Sequence, residues 1–192
     1  MVTGASRGIG AGIAERVAAE GGAVAIVART LDHHPTLPGS LTETAERCRA
    51  LGVDVATIVA DLTDADDRAR VIPEAVDALG GPIDVLVNNA AAAIYGSLAD
   101  YPLKRRRLMV EINVHCPVDL AQAVLPEMAE RGEGWIVNLS SASAAHPEGP
   151  PYDLSGVKDV YGFYGATKAM LNRVTTAMAA ELHGTGIRVN TV

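Results

Sequence analysis

Thr3-Gly4-Ala5-Ser6-Arg7-Gly8-Ile9-Gly10 is the stretch on which the fold turns. It stands between a short apolar stub, Met1-Val2, and a segment with helical spacing, so it reads as a strand–turn–helix junction. Its glycines fall as G-x-x-x-G-x-G, a different spacing from the G-x-G-x-x-G fingerprint but one that serves the same physics. Glycine allows positive φ and close backbone approach. A helix starting at such a turn offers N–H groups and the positive end of its dipole to a diphosphate. Gly4, Ser6, Arg7, Gly8, Ile9 and Gly10 are therefore candidate dinucleotide-binding residues.

Outward from this turn, short apolar runs alternate with helical periods. The runs are Ala23–Val27, Val53–Val59, Ile83–Val87, Trp135–Leu139 and Ile187–Val192, each bounded by Gly, Pro, Asp or Asn. Continuous apolar runs of this length suit parallel strands covered on both faces. Between them, Ile9, Ile13 and Val17 form one helical stripe, and Leu171, Val174, Met178 and Leu182 form another. Asp64 reads as the N-cap of a helix through Leu79 that Gly80-Gly81-Pro82 stops, and a further helix starts at Leu41. The expectation is an α/β Rossmann fold, a doubly wound parallel sheet with helices on both faces. Two connections, His33–Ser40 and the Pro/Gly-rich Ser143–Lys158, are longer than this architecture needs and read as irregular excursions.

The composition fits one domain spanning residues 1–192. Apolar residues make up 48% and aromatics 4% of the chain, which suits closely packed helix-on-sheet layers. The formal charge is −7, and the longest basic tract is Lys104–Arg107, so phosphate neutralisation on a nucleic acid is not expected. The apolar stretches are far short of the ~20 residues that cross a bilayer, so no membrane partner is expected. Cys48 and Cys116 lie far apart, which points to a reducing, cytoplasmic setting. His33, His34, His115, His146 and His183 have no metal spacing, and Glu111 with His115 reads as a helix-surface pair. The first strand has only Met1-Val2 before the turn, and Ile187–Val192 stops at the terminus; the chain reads as a fragment clipped at both ends.

The ordered set of motifs resembles the short-chain dehydrogenase/reductase family over essentially the whole chain. Thr3–Gly10 is similar to the family's cofactor turn, and Asp61-Leu62 ends the third strand where the family places an Asp near the adenine. Asn88-Asn89-Ala90-Ala91 resembles the N-N-A-G motif, with Ala91 in place of the usual Gly. Asn113 falls where the family's helix Asn sits, Ser140-Ser141 ends the strand Trp135–Leu139, Tyr164–Lys168 gives Y-x-x-x-K, and Arg188-Val189-Asn190 matches R-V-N. The resemblance implies catalysis by Asn113, Ser141, Tyr164 and Lys168. It implies that Asp61, Leu62, Asn88, Ala90, Tyr164 and Lys168 contribute to cofactor binding. It also implies a dimer or tetramer assembled through the Tyr164 helix, and a C-terminal strand and lid that this chain lacks.

Cofactor choice rests on the residue after the second strand, where an acid selects NAD(H) and an arginine accommodates the 2′-phosphate of NADP(H). Arg29 stands there with no acid until Asp32, and Arg7 offers a second guanidinium, so NADP(H) is favoured over NAD(H). The implied reaction is reversible reduction of a small carbonyl to an alcohol. Tyr164 is the general acid/base, its phenol acidified by the Lys168 ammonium at i+4. Of the tyrosines Tyr152, Tyr161 and Tyr164, Tyr164 alone has Lys at i+4. Ser140 and Ser143 compete with Ser141, because a one-residue shift reverses a strand side chain. A dinucleotide-binding protein without catalysis is the alternative.

Overall fold

A computed structural model describes residues 1–32, 36–151 and 162–192; His33, His34, Tyr152 and Tyr161 lie outside the described residues. Strands β1 (Val2–Thr3), β2 (Val24–Ala28), β3 (Val55–Val59), β4 (Val85–Asn88), β5 (Gly134–Asn138) and β6 (Ile187–Thr191) form a parallel sheet ordered β3-β2-β1-β4-β5-β6. Val2 lies beside Ile26 on one side and Val87 on the other, and Asn88 lies beside Asn138. Strand order reverses at β1, so a crevice opens beyond the carboxyl ends of β1 and β4.

Helices α1 (Gly8–Ala19) and α2 (Leu41–Arg49) cover one face, where Ala14, Ala18, Leu41 and Ala45 meet Val2, Val24 and Ile26. Helices α3 (Ala65–Leu79), α4 (Leu103–Val110), α5 (Cys116–Arg131) and α6 (Phe163–Glu181) complete the set. On the other face, Val71 and Ile72 of α3 and Leu120, Val124 and Met128 of α5 pack with Val27, Ile58, Leu86 and Ile136. The caps follow from local chemistry. The Asp64 carboxylate accepts from the N–H of Asp66 and Asp67 at 2.9 and 3.1 Å, and Gly80 ends α3 at φ +70. The Ser40 hydroxyl caps α2 by accepting from the Glu43 N–H.

Three expectations are corrected. Of the Ile9–Ile13–Val17 stripe, Ile13 and Val17 pack half-buried against the core, but the stripe is not the fully buried line of α1. Gly10, Ala11, Ala14 and Ala18 are buried instead, and Ile9 is 69% exposed. Small residues let the helix axis lie close to the sheet, which the turn before it requires. In α6, Leu171 is buried but Val174, Met178 and Leu182 are only half-buried; the seat is made by Gly165, Thr167, Lys168, Leu171 and Thr175. Finally, β6 is not covered on both faces among the described residues. Ile187 and Val189 are buried while Arg188 and Asn190 are exposed, with the Arg188 guanidinium 5.5 Å over the Trp135 ring.

The helical run Leu103–Arg131 is long and apolar enough to cross a membrane by length and composition, beyond what the separate apolar stretches suggested. Half of its most apolar stretch is buried, including Ile112, Val114, Leu120 and Val124. Lys104–Arg107 lie exposed on α4. Cys48 and Cys116 are buried, and burial pushes the Cys116 thiol up to about 12.

A Cβ added at Gly10 would lie 2.4 Å from both Asn89 Nδ2 and the Gly4 carbonyl oxygen, whereas at exposed Gly12 it would meet nothing within 4 Å. Gly10→Ala is therefore expected to cost about 1–3 kcal/mol in urea unfolding. Gly12→Ala on the same helix is expected to gain about 0.5–1 kcal/mol by lowering chain entropy. Equal effects at the two positions would show that the α1–β4 approach is not tight.

Candidate active site

The turn after β1 is tied to the end of β4. The Thr3 hydroxyl accepts from the N–H of Asn89 and Ala90, both at 3.0 Å. The Asn89 carboxamide returns two bonds, to the carbonyls of Thr3 at 2.9 Å and Gly4 at 3.2 Å. Gly4 sits at φ +65, where a side chain would strike the Ala90 backbone at 2.9 Å. Gly8 is also left-handed, at φ +55, but a Cβ there would meet nothing within 4 Å. The outer glycines thus serve the close approach of elements, and the middle one borders open space. Helix α1 starts with no side-chain cap, leaving its first-turn donors without that cap at the same edge.

A cleft of about 720 Å³ runs along these strand ends. Gly4, Ser6, Arg7, Gly8, Ile9, Gly10, Arg29, Asp61, Leu62 and Ala90 line it, and so do Asn89 and Ala92. The Asp61 carboxylate accepts from the N–H and hydroxyl of Thr63 at 3.0 and 2.8 Å, which shapes the β3 end as a closed turn. Arg7 Nε donates to the Ser6 hydroxyl at 3.4 Å. Its Nη1 is buried with no hydrogen-bond partner among the described residues. An unpartnered buried guanidinium nitrogen beside an uncapped helix start and an open glycine fits a ligand with phosphate groups.

Asn88 does not line the cleft. Its carboxamide is buried and donates to Asn138 Oδ1 at 2.9 Å and to the Pro117 carbonyl at 3.3 Å. Successive strand residues face opposite ways, so Asn89 and not Asn88 reaches the crevice; that alternation was available in the sequence. Tyr164 and Lys168 do not line it either. They lie past its end, at the start of α6.

There the catalytic candidates gather. The Tyr164 phenol is half-buried, within hydrogen-bond reach of Ser141. Its ring stands edge-on to Tyr95 at 5.8 Å and 84°. Lys168 is 3% exposed and donates from Nζ to the Leu139 carbonyl at 2.6 Å. Both side chains of the i, i+4 pair therefore face the end of β5. The expected acidification of the phenol by Lys168 is not met in this geometry. Burial raises the Tyr164 phenol, opposed by the Ser141 hydrogen bond, while burial lowers the Lys168 ammonium to about 8. Of the three serines, Ser141 reaches the phenol. Ser143 is buried, 2.9 Å from the Ser141 hydroxyl, and the Ser140 hydroxyl is buried without a partner among the described residues.

Asn113 occupies a wide helical turn, Glu111–His115, in which the Cys116 N–H reaches back to the Glu111 carbonyl. Its side chain is fully buried. It accepts from the Ala92 N–H, donates to the Ala92 carbonyl, both at 2.9 Å, and donates to the Thr167 hydroxyl at 3.0 Å. The carboxamide is thus engaged on both its oxygen and its nitrogen by protein groups. Glu111 pairs with Arg68 at 2.7 Å, so the expected Glu111–His115 pairing is replaced. Tyr95, Thr167 and Arg68 escaped the sequence reading; nothing in the local pattern marks them. Among the described residues no group of three His, Cys, Asp or Glu could hold a metal.

The family model described as short chain dehydrogenase matches residues 1–192. The ketoacyl reductase HetN of Nostoc sp. is 34% identical over the whole of this chain, which spans 61% of that protein's length. A metagenomic short-chain oxidoreductase solved in complex with NADP superposes with a TM-score of 0.83 at 30% identity, covering 99% of this chain and 77% of that one. The L-sorbose reductase of Gluconobacter frateurii, solved with NADPH and L-sorbose, gives a TM-score of 0.83 at 31% identity, covering 99% of this chain and 66% of the other. With the tied glycine turn, the strand order and the Ser141–Tyr164–Lys168 cluster, these likenesses make the chain a member of the short-chain dehydrogenase family.

Proposed function

We propose that the protein is an NADP(H)-linked oxidoreductase that reversibly reduces a small carbonyl compound to an alcohol, residues 1–192 acting as one dinucleotide-binding and catalytic unit. The observation that carries this reading is the convergence of Ser141, Tyr164 and buried Lys168 just beyond the carboxyl end of β5, the strand next to β4, whose following residues Asn89 and Ala90 line the cleft that the glycine turn heads. Gly8, the first turn of α1 and Arg7 would hold the phosphates, Arg29 the 2′-phosphate, and Asp61-Leu62 the adenine end. Hydride to the carbonyl carbon is the chemistry a nicotinamide supplies when bound.

The residues supply the rest. Ser141 donates a hydrogen bond to the substrate oxygen, and Tyr164 passes its phenolic proton to that oxygen as charge develops there. A phenol raised by burial keeps its proton at neutral pH, which suits the reducing direction. Lys168 lies behind it, held to the Leu139 carbonyl, and would bind the nicotinamide ribose. Structural relatives bound to NADP and NADPH support the cofactor preference. Buried free Cys48 and Cys116 suit a reducing cytoplasm, and the exposed side of α6 is where a dimer or tetramer would form.

Tyr164→Phe is expected to bind NADPH as the parent does while turnover of a ketone panel falls by about 10²–10⁴-fold; unchanged turnover would remove Tyr164 as the acid. NADPH is expected to bind more tightly than NADH, and the preference to shrink in Arg29→Ala.

Lys168 also gives a pH signature. Its folded value of about 8 lies below the ordinary 10.5, so between these pH values the unfolded chain binds more protons and stability rises with pH. Lys168→Met lacks that term. In urea unfolding its stability relative to the parent should therefore be up to about 3 kcal/mol greater at pH 7 than at pH 10.5. A constant difference across that range would place the ammonium in water.

A further inference from the structure

Arg68 is an α3 side chain that no part of the proposed reaction uses, yet it is only 6% exposed. Its guanidinium takes three partners from three elements: the Leu62 carbonyl at the end of β3 at 3.0 Å, Glu111 at 2.7 Å, and Asp119 of α5 at 2.9 Å. Glu111 opens the wide turn that carries Asn113, and its carbonyl closes that turn. Wide turns of this kind are rare and intrinsically unfavourable, so a contact at their first residue has something to hold in place. From Asn113 the bonds continue to Ala92 in the cleft wall and to Thr167, whose hydroxyl donates to the Tyr164 carbonyl at 2.7 Å.

We propose that Arg68 is a positioning residue. By gripping Glu111 and the Leu62 carbonyl together, it sets the wide turn that aims Asn113 and so links the cofactor cleft to the backbone of Tyr164. A buried ion pair gives little net stability over a well-packed apolar contact, since desolvation offsets the attraction. An apolar side chain could fill the space between α3 and α5. It could not bond a strand-end carbonyl and fix the rotation of a helical turn at once. The planar guanidinium can, because its donors diverge in a fixed fork.

The kinetic consequence rests on the carbonyl-reductase reading, but the structural consequence does not. Three measurements on Arg68→Met and the milder Glu111→Gln separate the two. The first is amide hydrogen exchange at Ala92, whose N–H is bonded to Asn113. It should quicken about tenfold in both variants, while exchange in β2 and β3 stays as in the parent. The second is NADPH binding by fluorescence. It should weaken in Arg68→Met, which frees the Leu62 carbonyl, and hold in Glu111→Gln, which keeps that contact. The third is steady-state ketone reduction. In both variants kcat should fall by about ten- to a hundred-fold, with the ketone KM nearly unchanged. Parent-like exchange at Ala92 in both variants, or uniformly faster exchange across all core amides, overturns the proposal. If the parent reduces no carbonyl compound, the reductase reading falls, and the Ala92 exchange still decides the role of Arg68.

Discussion

The bonds between Thr3 and Asn89 tie two strand ends together, and the cleft depends on them. β1 (Val2–Thr3) runs between β2 and β4, and its turn has to meet the end of β4 at a fixed place. A hydroxyl that accepts two consecutive N–H groups, and a carboxamide that returns to two consecutive carbonyls, fix that place. Gly4 and Gly10 follow from that tie, because the Asn89 side chain occupies the space where their side chains would stand. α1 must then run close to the sheet, and only Gly and Ala at its contact positions permit this. The open space at Gly8 and the position of Arg7 are consequences of the same knot.

That dependence explains which parts were legible from the residues. The strand–turn–helix reading of Thr3–Gly10 held because glycine spacing reports backbone constraints directly. Asp64 and Gly80 were legible for the same reason, since a cap is a local event. The stripe on α1 is only partly a packing face, because period alone does not say how deep each position sits: Ile13 and Val17 pack against the core. Ile9 has the right spacing and points outward, as the close approach demands small residues one position along. Arg68 was invisible for a different reason. Its three partners lie on the turn after β3, the wide turn and α5, and nothing in Asp66-Asp67-Arg68-Ala69-Arg70 separates it from half-buried Arg70.

The Tyr164–Lys168 pair shows the limit of reasoning from spacing. The i, i+4 relation placed both side chains on one helix face, which holds. It carried no information about burial, and burial acts on the two groups in opposite directions. It raises the phenol and lowers the ammonium, so each is pushed toward its neutral form. The ammonium is committed to the Leu139 carbonyl, and the nearby Ser141 hydroxyl opposes the rise of the phenol.

How α6 is seated bears on the precision of that pair. An apolar stripe resists separation of helix and sheet but resists rolling only weakly, because dispersion contacts carry little direction. On α6 the buried positions are mainly polar, and each is bonded to a different element. Thr167 meets Asn113, Lys168 meets the Leu139 carbonyl, and Thr175 accepts from Asn138, which in turn accepts from Asn88. Three directional contacts along one helix admit a single rotation about its axis, and that rotation places Tyr164 within reach of Ser141. Asn88 and Asn89 therefore divide the work by facing opposite ways. One reaches through the sheet to fix the helix that bears the phenol, and the other closes the turn that heads the cleft. The two halves of the site are anchored at adjacent residues of a single strand end, so a shift of β4 along its axis would displace both together and leave their separation intact.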